Sequence, residues 1–504
     1  MNPPVVPVPQ RITWTATARH LEGGVLRVCG PSPLVDRVAD LAARCAGVKV
    51  LLAGPDDADV LVDVDPSWRP DPACGVPAGL DPGLGDDECF EIDRRTVRAA
   101  TEAGAYRALT VLLQAVTPDG LLLCTAADAP ALRWRGLTLD VARHFLTVAE
   151  LESIVDLLAW YRLNVLHLHL TDNQAWRLEM PGRPALTPAG SGSYTAADIA
   201  GLAEYARRRH ITLLPEIDMP GHVRAVLTAY PGLAGEQAAA LPGLGHLRPG
   251  VPAAVEFAEE AVDLLCSLVP TPYVHVGGDE AFSMDPREYA AFVRLLHRRV
   301  HANGKRPVAW QEASRARSFT AGDVLQQWIS PGDAPGPEVL DRLPPEYAGF
   351  RDVLAATFDE APQDLPRTIA DGASVLLSPS YPFYLDRRYA EPSADASQEA
   401  LMSRLGHAGY PAERTSVLYD WVWDDVPGIA GAQAALWAET IDDFADLAAL
   451  LLPRLPVLAE LMWNRQRQPW PRVAARIAAH ARVWNRLGLS GYYRSVDVFP
   501  EETL

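Results

Sequence analysis

From Arg133 onward, short apolar runs alternate with stretches in which apolar residues recur every three or four positions. This is the pattern of strands separated by amphipathic helices. Eight strand-like runs stand out, at 136–141, 165–170, 212–217, 273–276, 307–310, 323–328, 374–377 and 432–437. After the first, Thr147-Val148-Ala149-Glu150 spells a capping box, with Leu151, Ile154, Val155, Leu158 and Tyr161 following at helical spacing. After the second, Thr195-Ala196-Ala197-Asp198 opens a further helix, running to about Arg209. Repeated strand–helix units predict an α/β fold, a (β/α)8 TIM barrel, with Gly/Pro-rich insertions near 230–252 and 331–366 read as long loops.

Upstream the texture differs. Apolar runs at 48–53 and 60–64 are broken by Pro, Gly and Asp, and a helical stretch is predicted from about Thr96 to Val116. The turn Thr117-Pro118-Asp119-Gly120 and the Ala/Asp/Pro segment at 126–131 mark a boundary. The expected organisation is a small α+β domain at 1–130 and a barrel at 131–504.

Composition narrows the partners. With 64 acidic against 45 basic residues the formal charge is −19, which repels phosphate backbones and anionic lipid, so neither nucleic acid nor membrane is an expected partner. The N-terminal Met-Asn-Pro-Pro-Val-Val-Pro has neither a basic n-region nor an apolar h-region, so the expected location is cytoplasmic. Six cysteines without CxxC spacing read as reduced thiols, none of them catalytic. Oligomeric state, monomer or dimer, is not legible.

In a barrel the active site lies where the strands end. Asp140 and Arg143-His144 follow the first run, Thr171-Asp172-Asn173 the second, Glu216, Asp218 and His222 the third, and Asp279-Glu280 the fourth. Trp310-Gln311-Glu312, Trp328, the trio Tyr381, Tyr384 and Asp386, and the pair Trp437 and Glu439 follow the remaining four. Carboxylates gathered with aromatic rings suit sugar recognition and acid-assisted glycoside cleavage: rings cover apolar sugar faces, charged groups hold hydroxyls, and one carboxylic acid protonates the leaving oxygen.

Four ordered segments carry a resemblance: Arg135 to Phe145, Leu166-His167-Leu168-His169-Leu170-Thr171-Asp172, Pro215-Glu216-Ile217-Asp218-Met219-Pro220-Gly221-His222, and His275-Val276-Gly277-Gly278-Asp279-Glu280-Ala281. Residues 135 to 445 resemble the catalytic domain of glycoside hydrolase family 20, the β-N-acetylhexosaminidases. The resemblance implies exo-acting, retaining hydrolysis of a terminal β-linked GlcNAc or GalNAc, without cofactor or metal, in which the substrate's own acetamido oxygen is the nucleophile and an oxazolinium is the intermediate. It assigns Asp279 to steering the acetamido group and Glu280 to general acid–base work. Arg143, Asp386 and Glu439 would bind hydroxyls, Tyr384 the acetamido carbonyl, and Trp310, Trp328 and Trp437 would wall the pocket. Asp172, Asp218 and His222 would form the outer shell, His222 with Asp172 behind it orienting Glu280. Asn173 departs from the family pattern, where many relatives carry a second Asp.

Glu280 must be protonated while Asp279 stays ionised, and a neighbouring anion raises the acid's pKa in the direction needed. Adjacent side chains of a regular strand face opposite ways, so Gly277-Gly278 is expected to release the backbone before the pair. Two other readings compete. His167 and His169 share one strand face, with His222 and Asp279 on the same barrel, which would suit a metal-dependent hydrolase; a non-catalytic glycan-binding protein would use the same pocket without turnover.

Overall fold

The computed structural model describes residues 3–75, 77–83, 87–235, 245–282, 284–330, 333, 348–423 and 428–500. Among them, an N-terminal sheet contains β1 (Arg11–Arg19), β2 (Val25–Cys29), β3 (Lys49–Leu52), β4 (Val60–Val64), β5 (Phe90–Arg94), β6 (Thr96–Ala99), β7 (Val116–Thr117) and β8 (Gly120–Asp128). Its order is β1-β8-β5-β6-β4-β2-β3, with β7 paired to β8. Two expectations are corrected here. The helix read from Thr96 begins at Glu102, because Val97 and Ala99 point into the sheet from β6 and Thr101 accepts the N–H of Gly104 as an N-cap. Residues 126–128 of the supposed boundary are strand, paired with β1 and β5.

The barrel follows as β9 (Trp134–Asp140), β10 (Val165–His169), β11 (Thr212–Glu216), β12 (Tyr273–His275), β13 (Arg306–Trp310), β14 (Val324–Gln327), β15 (Ser374–Leu377) and β16 (Ile429–Leu436). All pair in parallel and in sequence, and β16 closes on β9. Both faces of these strands are covered, so every residue of β9, β10 and β11 is buried, the polar ones such as Arg135, His167, His169 and Glu216 included. Both predicted capping boxes form, at Thr147/Glu150 and Thr195/Asp198, starting the helices Val148–Trp160 and Ala196–Arg207. Of the two insertions expected as loops, 236–244, 331–332 and 334–347 lie outside the described residues, and Ala348–Ala370 is a helix despite Pro362 and Pro366. Among the described residues no helix is long and apolar enough to cross a membrane.

The N-terminal sheet is fastened to the end of the barrel where its strands begin. Glu88 is buried between Arg107 and Arg135 and also accepts from Asn164, while Arg107 reaches the carbonyl of His210 just before β11. Arg162 pairs with Asp128 at 2.9 Å over the ring of Trp463. Breaking one such buried partner costs about 3–5 kcal/mol. These ties occupy one face, leaving the C-terminal ends of the strands for chemistry.

Candidate active site

The chemistry-bearing corner begins where β12 stops at His275. Gly277 and Gly278 take φ of 71° and 109°, and Glu280 itself sits at 47°, a left-handed conformation that side chains avoid. A Cβ on Gly277 would lie 1.7 Å from Asp218 Oδ1, so only glycine fits. The turn is pinned from three sides: Gly278 N–H donates to Asp218 Oδ1 (3.0 Å), Trp310 N–H to the Gly277 carbonyl (2.9 Å), and the Tyr289 hydroxyl to the Gly278 carbonyl. The Asp279 side chain is thereby turned inward, 14% exposed, while that of Glu280 remains 39% exposed. Beyond Glu280 lies a cleft of about 1180 Å³ whose lining includes Phe282, Met284, Glu312 and Arg315.

His222 stands between the two acids and the barrel interior, with Nε2 at 3.4 Å from Glu280 Oε2 and 3.7 Å from Asp279 Oδ2, and Nδ1 at 3.1 Å from Asp172 Oδ2. Burial alone would discharge the ring, but Asp172, Asp279 and Asp218 outweigh it and hold its pKa well above the usual histidine range. Asp172 is held well below the ordinary carboxylate range against burial by His222, His169 and Arg143, the last at 2.8 Å. Deeper still, Glu216 meets His167 (3.0 Å), His169 (2.6 Å), His275 (3.0 Å) and the Trp310 indole (2.7 Å). A chain of alternating acids and imidazoles thus runs from Glu216 through His169, Asp172 and His222 to Glu280.

Asp279 differs from the sequence expectation. Burial first, then the Asp218 carboxyl hydrogen-bonded to it and the charge of Glu280, raise its pKa well above the carboxylate range despite His222; Asp218 is itself pushed up to about 6 by burial. Like charges at contact cannot both ionise cheaply, so the Asp218 carboxyl raises the proton affinity of Asp279. The sequence reading weighed only the effect of an ionised Asp279 on Glu280, and not that of Asp218 on Asp279.

Around this corner the rings converge. Trp437 packs against Trp310 and Tyr384, both at 5.8 Å between centroids, and Trp328 joins the same cluster. Burial raises the Tyr384 phenol well above its usual range, keeping it a neutral donor. Arg143 lies over Trp437 and pairs with Asp140 (3.1 Å), Asp172 and Glu439 (3.7 Å). Asp386 is buried with no side-chain donor reaching it among the described residues, and burial with Glu439 nearby pushes it up to about 8. Arg143, His222, Asp279, Glu280, Trp310, Trp328, Tyr384, Trp437 and Glu439 are thus drawn into one constellation, whereas Tyr381 is exposed and lines a separate cavity with Pro366 and Trp421. Asn173 is not idle: its N–H caps Asp172 and its side chain accepts from Arg224 N–H (3.2 Å).

Sequence reasoning noted Asp140, Glu216 and Glu312 at strand ends without assigning them work. Asp140 accepts the N–H groups of Ala142, Arg143 and Ala438, which fixes the Arg143 turn to the last strand. Glu312 accepts the Trp328 indole N–H at 3.0 Å. Two groupings bring donor atoms within 4.8 Å of one another, as a metal ion would require: His167, Glu216 and His275, and Asp218, His222 and Asp279. Protons shared along the acid–imidazole chain account for the same spacings.

The family model for glycosyl hydrolase family 20, catalytic domain, matches residues 132–466. A β-N-acetylhexosaminidase of Cellulomonas fimi is 36% identical over 433 residues, 80% of this chain and 79% of its own length. A β-hexosaminidase of Vibrio furnissii is 27% identical over 428 residues, 73% of this chain and 64% of its own. Among solved structures, the Streptomyces plicatus N-acetyl-β-hexosaminidase superposes with TM-score 0.75 at 27% identity, over 98% of this chain and 97% of that one. The Streptomyces coelicolor A3(2) family 20 enzyme gives 0.74 at 27%, with the same coverage.

Proposed function

Since the chain belongs to glycosyl hydrolase family 20 and is a glycoside hydrolase of the β-N-acetylhexosaminidase kind, acting on carbohydrate that ends in N-acetylhexosamine, we propose that it is exo-acting and retaining, with the substrate's acetamido oxygen as nucleophile. The observation that carries this reading is the unequal pair at the β12 turn: an inward Asp279 against Asp218 and His222, beside an outward Glu280.

In this reading the terminal sugar lies on Trp437, its hydroxyls bound by Arg143, Asp386 and Glu439, and its acetamido group sits between Trp310, Trp328 and the Tyr384 hydroxyl. Asp386 and Glu439 close the pocket at the non-reducing end, which supports exo action. Tyr384 donates to the acetamido carbonyl, orienting that oxygen behind the anomeric carbon. Glu280 gives its proton to the leaving oxygen as the acetamido oxygen forms its bond to carbon and the glycosidic bond breaks, the first of two inversions that together retain the anomeric configuration. Asp279 begins with proton affinity raised by burial first and then by Asp218, against His222; the acetamido N–H and the growing positive charge of the oxazolinium draw it into its ionised form, any proton it carries passing to Asp218. That gain arises only as charge develops, so it lowers the barrier rather than merely tightening ground-state binding. Glu280 then takes a proton from water, which opens the oxazolinium from the face the aglycone left.

The test is hydrolysis of an aryl N-acetyl-β-glucosaminide with and without a thiazoline mimic of the intermediate. The expected outcome is turnover, inhibition by thiazoline far tighter than by GlcNAc, and a loss of about 10²–10⁴-fold on Glu280→Gln. Indifference to the thiazoline would exclude substrate assistance, and absence of turnover would favour a binding protein.

A further inference from the structure

Glu312 touches two parts of the site that no neighbouring side chain joins. It lies on the short 3₁₀ turn Gln311–Ala316 that follows β13, is 5% exposed, and presents its two carboxyl oxygens in different directions. Oε2 accepts the indole N–H of Trp328 at 3.0 Å, and Oε1 faces the main-chain N–H of Glu280 at 3.4 Å. The same turn fixes the Trp328 main chain, because Gln311 Oε1 accepts the N–H groups of Trp328 (3.3 Å) and Ile329 (3.1 Å). It is itself anchored outward, with Ser314 and Arg315 both bonded to Asp364. Glu280 holds a left-handed backbone conformation that persists only where surroundings over-determine it.

We propose that Glu312 is a positioning residue: it ties the strained main chain of Glu280 to the wall tryptophan Trp328, so that the acid and the acetamido pocket keep one fixed separation. This rests on the functional reading above, in which Glu280 protonates the leaving oxygen and Trp328 lines the pocket. The facing groups agree. Burial first and then Asp279 push Glu312 up to about 8, against the nearby Arg315, which limits the negative charge it adds beside Asp279 and Asp218. Glutamine keeps one acceptor oxygen of the two and so retains one tie, whereas alanine or methionine removes both.

The experiment compares two substrates in the full chain: a 2,4-dinitrophenyl N-acetyl-β-glucosaminide, whose leaving group needs no proton, and the 4-methylumbelliferyl glycoside, whose leaving group does. Glu312→Gln, which keeps one acceptor, should lose less than Glu312→Ala, and Glu312→Ala should lose at least about tenfold in kcat/KM, which reads the first step, on the second substrate but under about threefold on the first. Glu312→Met, which fills the space without an acceptor, reads the same quantity if the alanine variant does not fold. Equal losses on both substrates, a glutamine variant as impaired as alanine, or an alanine variant at full activity would each overturn the role. An unaltered chain inert on both substrates would instead sink the functional reading beneath it, which the first measurement of the series distinguishes.

Discussion

Replacing Gly277 with alanine perturbs a single point of the catalytic turn, and its cost can be worked out from the neighbours. Gly277 sits at φ 71°, where an L-residue costs about 1–2 kcal/mol. The added Cβ would lie 1.7 Å from Asp218 Oδ1 and 2.6 Å from Asp218 Cα, and the second contact is with backbone, which no rotamer change relieves. Asp218 must therefore move, breaking its bond to Gly278 N–H, a charge-assisted interaction worth about 1.5–3 kcal/mol. The expected destabilisation is about 3–5 kcal/mol. Gly372→Ala is the control: φ is 83° but nothing lies within 4 Å of the new Cβ, so only the conformational part, about 1 kcal/mol, remains. Urea unfolding of both variants reads the stability difference directly. Because Asp218 holds Asp279, the folded Gly277→Ala protein should also lose on the order of 10²-fold in kcat, the usual cost of misplacing catalytic groups by about 1 Å. If Gly277→Ala matched Gly372→Ala in both stability and kcat, the turn would not be the pivot described here.

Two further outcomes follow from the charge network. In Asp172→Asn the first carboxylate raising the His222 pKa is lost, so the imidazolium should deprotonate at lower pH; the alkaline limb of the kcat/KM profile should move toward acid, and an unmoved limb would remove Asp172 from that role. Exhaustive chelation followed by metal-free assay should leave turnover unchanged, whereas loss restored by a divalent ion would assign one of the two histidine–carboxylate groupings to a metal.

The barrel was readable because its strands are buried on both faces and so appear as short apolar runs, and because Thr147/Glu150 and Thr195/Asp198 write their helix starts in four residues. What was not readable has definite causes. β6 is four residues long, too short for alternation to stand out from the helix that follows it. Pro362 and Pro366 suggested a loop where a helix runs, and that helix supplies Asp364, the anchor of the turn carrying Glu312. In the site, the strand ends announced which residues face the mouth, but not which touch. Glu216 gathers three imidazoles only because the register sets it opposite His169 on one side and His275 on the other. The Asp218–Asp279 contact likewise joins two loops whose separation in sequence gives no local signal, and with it came the raised proton affinity that the sequence view of Asp279 lacked.

The division of labour between Glu280 and Asp279 is tested most directly by the fate of azide in Glu280→Ala. With a 2,4-dinitrophenyl N-acetyl-β-glucosaminide the leaving group departs without a proton, so the acetamido oxygen still forms the oxazolinium under Asp279, and azide then attacks the anomeric carbon as the carbon–oxygen bond of that ring breaks. Nuclear magnetic resonance of the product should show rescued turnover and the β-glycosyl azide. The α-azide would mean direct displacement at carbon without the acetamido group, and no rescue at all would mean that Glu280 is not the base that water requires.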